Sequence, residues 1–262
     1  MPEPKILTDV EDHTFIVTIN RADQRNCVDG ETAGLLEGAA ERFRTDDSLY
    51  VMVLTGSGDK AFCAGADLKN IDSLMTRPNA GKSGPMGLSR ITNLSKPIVG
   101  AIEGYATAGG LELACWCDFR IASSSAQFGV LNRRWGVPLV DGGTQRLPQI
   151  VGLGNALYLI TTGAQIDAPT AFRMGLVQEI VPPKTALQRA VEIANVVATY
   201  PQTAMRNDRK AALRAFELPL EAGLRYEVEA HADSLADPAM RDWLGRFAAG
   251  ERPQPIRPLD PD

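Results

Sequence analysis

The chain has 262 residues, 44% of them hydrophobic and 23% charged, with a formal net charge of −5. Such a composition fits a globular protein of one large domain, or a domain with an appendage. It argues against a nucleic-acid partner, which needs a basic face, and no apolar run approaches the ~20 residues of a membrane span.

The chain begins M-P-E-P-K-I-L-T-D-V, without a basic start followed by an apolar stretch, so no secretory signal is expected. K-I-L-T-D-V (5–10) and T-F-I-V-T-I (14–19) read as a β-hairpin. Asp29 is placed to cap a helix running to about Arg44, along which Leu35, Leu36, Ala39, Ala40 and Phe43 recur at helical spacing. A strand follows at 50–55 (Y-V-M-V-L-T), then a turn at 56–59. Residues 71–95 read as a Pro/Gly-rich loop, R-P-N-A-G-K-S-G-P, with a short helix carrying Met86, Leu88, Ile91 and Leu94. Pro97 opens a strand at 97–102, a helix starts near Gly109, and another strand lies near 118–122. An α/β core thus spans 1–195. A mainly helical, charge-dense part covers 196–250, and the last stretch, 251–262, with four prolines, is a loose tail.

Four cysteines (27, 63, 115 and 117) match no zinc or redox spacing and read as buried thiols of a reducing cytoplasm. The two histidines do not suit metal binding or a Ser-His-Asp triad: His13 falls in the hairpin turn and His231 in a charged helix. No metal and no redox cofactor is expected.

Two stretches of small residues carry the chemistry. In A-F-C-A-G-A-D-L-K (61–69), Ala64, Gly65 and Ala66 precede Asp67, which opens a short helix. In Y-A-T-A-G-G-L-E-L (105–113), a helix begins at Gly109-Gly110 with Glu112 in its first turn. The first N–H groups of a helix have no internal partner, and small residues let a ligand approach them. Each stretch alone reads equally as a tight strand-to-helix turn. Together they can offer two N–H donors to one oxygen.

These two stretches resemble the enoyl-CoA hydratase/isomerase (crotonase) family. So do N-R-A-D-Q-R-N (20–26), A-Q-F-G (126–129) and G-G-T-Q-R-L-P (142–148), in the family's order. The resemblance implies an α/β fold: a crotonase-like spiral of ββα units with a helical C-terminal region, assembling as a homotrimer or a dimer of trimers. It implies an acyl-CoA substrate whose thioester oxygen is held by the N–H groups of Ala66 and Gly109. Arg21 and Arg25 would meet the coenzyme A phosphates, and the backbone around Ala64, Asp67 and Leu68 its adenine. Arg21 and Arg25 also read as a solvated surface pair, and Asp67 as a helix cap.

The pattern departs from the family at one point. Glu112 matches the first of two family glutamates, but ungapped placement puts Asn132 at the second, and an amide neither gives nor takes a proton near neutral pH. Asp141 is the nearest substitute acid, although it also reads as a cap before Gly142-Gly143. Asn132 and Trp135 fall where an acyl pocket is expected. The resemblance implies 2-enoyl-CoA hydration or the reverse dehydration. The alternatives are double-bond isomerisation, thioester or β-diketone hydrolysis, and a coenzyme A binder without chemistry.

Overall fold

The structure, a computed structural model, describes residues 3–253 and 255–257. Its frame is a six-stranded sheet built from β1 (Ile6–Glu11), β2 (Thr14–Ile19), β3 (Val51–Gly56), β5 (Ile98–Ile102), β7 (Phe119–Ser123) and β10 (Glu179–Val181), neighbours in that order. The expected hairpin is present, pairing Ile6 with Ile19 and Glu11 with Thr14. The other pairings in this sheet are parallel, which requires crossover connections.

A second sheet was not legible in the sequence. It joins four three-residue strands in the order β4 (Ala61–Cys63), β6 (Tyr105–Thr107), β8 (Gln127–Gly129) and β9 (Gln165–Asp167). Three times the chain runs through a strand of the large sheet, a strand of the small one, and then a helical segment. After β3 and β4 come a 3-10 turn (Leu68–Asn70) and α2 (Ile71–Met75). After β5 and β6 comes α4 (Gly109–Trp116), and after β7 and β8 a 3-10 helix (Leu131–Trp135). These are the ββα units that the resemblance implies.

Strand alternation explains the packing. Val51, Val53, Val99, Ala101 and Ile121 face one side of the large sheet, where α8 (Ala186–Ala198) lays down Ala190, Ile193 and Ala194. Phe15, Val17, Ile19, Met52, Leu54, Ile98 and Ile102 face the other side. There they meet α1 (Gly30–Thr45), α4 and the small sheet. Asp29 does cap α1, its carboxylate accepting from the Thr32 N–H at 2.9 Å.

The helix expected across Met86–Leu94 is absent. Within 71–95 the helical turns are instead α2 and a single turn, α3 (Ala80–Ser83). Gly84 and Gly87 both sit at φ +89°, and Pro85 has no N–H to donate, so this segment turns back on itself. Met86, Leu88 and Leu94 are still buried, without helical geometry.

Beyond α5 (Gly143–Val151), α6 (Leu153–Thr162), α7 (Ala168–Arg173) and α8, the chain continues as α9 (Gln202–Arg214), α10 (Leu220–Ala230), α11 (Ala232–Ala236) and α12 (Pro238–Ala248). Arg209 fastens α9 to the core through two 2.8 Å contacts with the Asp118 carboxylate. Residues 251–253 and 255–257 carry no helix or strand; the rest of the expected tail lies outside the described residues.

Candidate active site

The small sheet aligns the site. Parallel register places Cys63 beside Ala106 and Thr107 beside Gly129, so the chain leaves β4, β6 and β8 along one edge. Ala64–Ala66, Ala108–Gly109 and Val130–Asn132 follow those three strands, and a cavity of about 670 Å³ opens against them. Ala64, Ala66, Leu68, Gly109, Glu112, Asn132, Trp135 and Asp141 all line it. Of the residues singled out in the sequence, Arg21, Arg25 and Asp67 do not.

Glycine makes the close packing possible. A Cβ on Gly110 would stand 1.8 Å from the Cys63 carbonyl oxygen, so α4 can abut β4 only without one. Gly65, at φ +100°, brings its backbone against that of Gly109; a Cβ there would lie 3.0 Å from the Gly109 nitrogen. Ala108 holds φ +53° and ψ −126°, a conformation unusual for an L-residue, at the entry to α4. The flanking N–H groups are spent: Ala64 donates to Arg25 O at 3.0 Å, Asp67 to Val28 O at 2.8 Å and Ala108 to Gly129 O at 2.9 Å. Among the described residues, the N–H groups of Ala66 and Gly109 have no acceptor.

Glu112, in the first turn of α4, is 3% exposed. Its Oε1 accepts from the N–H of Asp141 (2.9 Å) and of Gly143 (2.8 Å). Gly143 must be glycine, because a Cβ would fall 2.8 Å from Glu112 Cγ. Burial raises the Glu112 carboxyl to about 7 and the negative charge of Asp141 adds to the rise, while the Gly143 and Asp141 N–H bonds work against it. A carboxyl that titrates near neutrality can take and return a proton at little cost.

Asp141 does not cap a helix. The residue before α5 is Gly142, and no side chain caps it. The Asp141 carboxylate instead accepts from the Met86 N–H at 3.1 Å and from the Ser89 hydroxyl. It therefore pins the 84–90 turn to the cavity wall. Arg146 reinforces the joint, donating to Ser89 O at 2.6 Å and Asp141 O at 3.3 Å. Met86, Ser89, Gly143 and Arg146 escaped sequence reasoning, since nothing local shows that 84–90 folds against 141–146. Only the Gly-Gly pair at 142–143 carried a signal.

Arg21 is not a solvated surface residue. Its side chain is 7% exposed and its guanidinium meets Asp67 at 2.9 Å and Asp29 at 3.3 Å. Asp67 in turn caps the 3-10 turn, accepting from Lys69 N–H at 3.2 Å. The Arg25 guanidinium lies 5.2 Å from the centre of the Tyr105 ring. Trp135 is 77% exposed and Leu68 54% exposed at the cavity rim. Cys63, Cys115 and Cys117 are buried free thiols whose burial pushes them up, so none is poised as a nucleophile. Among the described residues no group of three or more His, Cys, Asp or Glu is placed to hold a metal, and no helix is long and apolar enough to cross a membrane.

The sequence model described as enoyl-CoA hydratase/isomerase matches residues 10–254. The chain belongs to the enoyl-CoA hydratase/isomerase family. A short-chain-enoyl-CoA hydratase of Clostridium acetobutylicum is 33% identical over 245 residues, covering 92% of this chain and 94% of the relative. A crotonyl-CoA hydratase of Syntrophomonas wolfei is 33% identical over 249 residues, covering 94% and 96%. The crystal structure of an enoyl-CoA hydratase from Bacillus anthracis superposes with a TM-score of 0.88 at 32% identity, covering 96% of this chain and 98% of that one. The expected family and fold are therefore those of the protein: a crotonase-type α/β spiral with a helical C-terminal region.

Proposed function

We propose that the protein adds water across the double bond of 2-enoyl-CoA thioesters and runs the reverse dehydration. Coenzyme A enters as part of the substrate, and no separate cofactor takes part. The N–H groups of Ala66 and Gly109 are assigned to the thioester oxygen. As the β-carbon is attacked, the electron pair of the double bond moves to the α-carbon and charge gathers on that oxygen. Two fixed donors in a dry cavity stabilise it, each by roughly 3 kcal/mol. Glu112 is assigned the proton transfers, and Asp141 the task of holding the 84–90 turn and keeping the Glu112 carboxyl high.

The observation that carries this reading is Glu112 itself, a buried carboxyl brought to about 7 in the same cavity as two unpaired backbone donors. At the coenzyme end, Arg25 is assigned to the phosphates. Arg21, spent on Asp29 and Asp67, is assigned to holding the Asp67 turn in place. Because the N–H groups of Ala64 and Asp67 are used internally, and the Asp67 carbonyl already accepts from the Asn70 N–H at 2.9 Å, the Ala64 carbonyl oxygen is assigned to the adenine amino group. The activities for which the relatives are named favour hydration. Apolar side chains exposed on and between the last helices, among them Leu213, Phe216, Leu220, Leu224 and Val228, support assembly as a trimer or a pair of trimers.

A second reading, movement of the double bond, rests on Asn132: with no second acid at that place, one carboxylate carrying a proton between two carbons suffices. The test is turnover of crotonyl-CoA and of a 3-enoyl-CoA by the native protein and by Glu112→Gln. Hydration that falls about 10²–10⁴-fold in the variant is expected. Isomerisation without hydration supports the second reading. Hydrolysis of thioesters or β-diketones, or binding without turnover, overturns both.

A further inference from the structure

Arg90 stands on the wall of the same cavity, and no other side chain among the described residues lining it is cationic. Leu74, Met75, Met86, Val137 and Pro138 give the surrounding wall its apolar character. The base of Arg90 is firmly held. Its N–H donates to Ser83 O at 3.2 Å, and the preceding Ser89 is fixed by Asp141 and Arg146. Its stem crosses Gly84, where a Cβ would lie 3.4 Å from Arg90 Cγ and 2.8 Å from Asp141 Oδ1. The guanidinium is held loosely. It reaches Gly81 O at 3.4 Å and Val140 O at 3.3 Å, both long for N–H···O bonds. Among the described residues it has no carboxylate partner.

A guanidinium carries five N–H donors in a planar fork. Two are engaged, weakly and by neutral carbonyls, so donors and charge remain open to a ligand. A purely hydrocarbon chain laid against the fork would strip water from a cation and return nothing. The complement of the fork is an anion with two oxygens, a carboxylate above all. Its place in the cavity says which part of the ligand bears that anion. Arg90 bonds Val140, which adjoins Asp141, and the Asp141 N–H lies on Glu112. It is therefore on the reacting side of the cavity, not at the Ala64 end assigned to coenzyme A. Without Arg90, a second carboxylate entering here would meet only the like charges of Glu112 and Asp141.

Building on the hydratase reading, we propose that the substrates are 2-enoyl-CoA thioesters whose acyl chain ends in a second carboxylate, and that Arg90 holds that carboxylate. The apolar wall takes the methylene groups, and the fork takes the end of the chain. The fixed 84–90 turn aims the fork while the loose carbonyl bonds let it exchange partners. Selection then rests on one charge: a methyl-ended chain of equal length gains no partner from Arg90.

The test compares thioesters matched in carbon number. Binding of glutaryl-, adipyl- and pimelyl-CoA is measured by calorimetry against pentanoyl-, hexanoyl- and heptanoyl-CoA. The proteins are the native one, Arg90→Gln and Arg90→Glu. None of these ligands carries the double bond, so the comparison does not depend on turnover. In at least one pair the native protein should bind the carboxylated member about tenfold more tightly, and added salt should shrink that preference. Arg90→Gln should lose the preference and Arg90→Glu should reverse it, whereas a merely structural Arg90 would move both members of a pair together. No preference in any pair overturns the proposal, and this outcome needs no variant to fold. A preference that survives in Arg90→Gln overturns it as well. Hydration of 2-hexenoyl-CoA and of the mono-thioester of 2-hexenedioic acid by the native protein is followed alongside. Hydration without carboxylate preference removes the proposal and leaves the hydratase reading standing. An Arg90-dependent preference with neither thioester hydrated keeps the carboxylate site and overturns the hydratase reading.

Discussion

Replacing Glu112 by Gln should make the protein more stable at neutral and alkaline pH. In the unfolded chain the carboxyl titrates near 4.5, and in the folded one near 7, chiefly because burial disfavours its charge. The fold therefore favours the protonated form. That contribution is fully present below 4.5 and is lost as pH rises through 7, where the native protein must hold a buried carboxylate. At about 1.4 kcal/mol per pH unit, carrying the group from 4.5 to about 7 costs about 3 kcal/mol once it is ionised. Gln keeps the oxygen that accepts from Asp141 and Gly143 but never ionises. The assay is denaturant unfolding of both proteins at pH 4.5 and at pH 8. The variant should gain about 3 kcal/mol on the native protein between these two values, or roughly 6–12 °C in melting temperature. A stability difference that is the same at both pH values would refute the argument, since it would mean that Glu112 titrates alike in the folded and unfolded chains.

Three further outcomes follow from the same geometry. Gly109→Pro removes an N–H donor and should lower crotonyl-CoA turnover by about 10²-fold. Gly109→Ala is its control, because it brings the same Cβ within 2.2 Å of Met86 Sδ yet keeps the donor; equal losses in two variants with matching melts would discount the donor. Gly143→Ala drives a methyl to 2.8 Å from Glu112 Cγ and should reduce kcat at least tenfold, about 1.4 kcal/mol of barrier, with little change in KM; unchanged kcat would show that the carboxylate position is not critical. Asp141→Asn removes the negative charge that helps to raise Glu112, so the pH at which activity rises should move downward; an unmoved profile would show that burial alone sets it.

The extent to which the site was readable from sequence follows from how local each signal is. Asp29 could be placed as a cap because Asp before a helix makes its bond three residues on, and the hairpin because alternation and a two-residue turn lie within fifteen positions. The two small-residue stretches stood out because close backbone packing excludes side chains; the Cys63 carbonyl against Gly110 is the reason. The three-residue strands of the small sheet could not be read, since three residues carry no period. The helix drawn through Met86–Leu94 failed because apolar spacing alone does not register Gly84 and Gly87 in left-handed geometry. The inward turn of Arg21 toward Asp29 and Asp67, and the seating of Ser89 and Met86 on Asp141, depend on contacts across 8 to 55 residues of chain, which spacing does not encode.

The central claim is that one buried carboxyl, Glu112, performs the proton transfers of hydration beside an amide that cannot titrate. The pH dependence of kcat/KM for crotonyl-CoA hydration by the native protein tests it most directly, followed by loss of the enoyl-thioester absorbance. Both directions of the reaction begin with ionised Glu112, so the account predicts a profile that rises through a single limb at about pH 7 and then stays level until the fold itself yields. A bell-shaped profile, with a second limb that needs a protonated acid, would contradict it, as would a profile flat from pH 5 to pH 9.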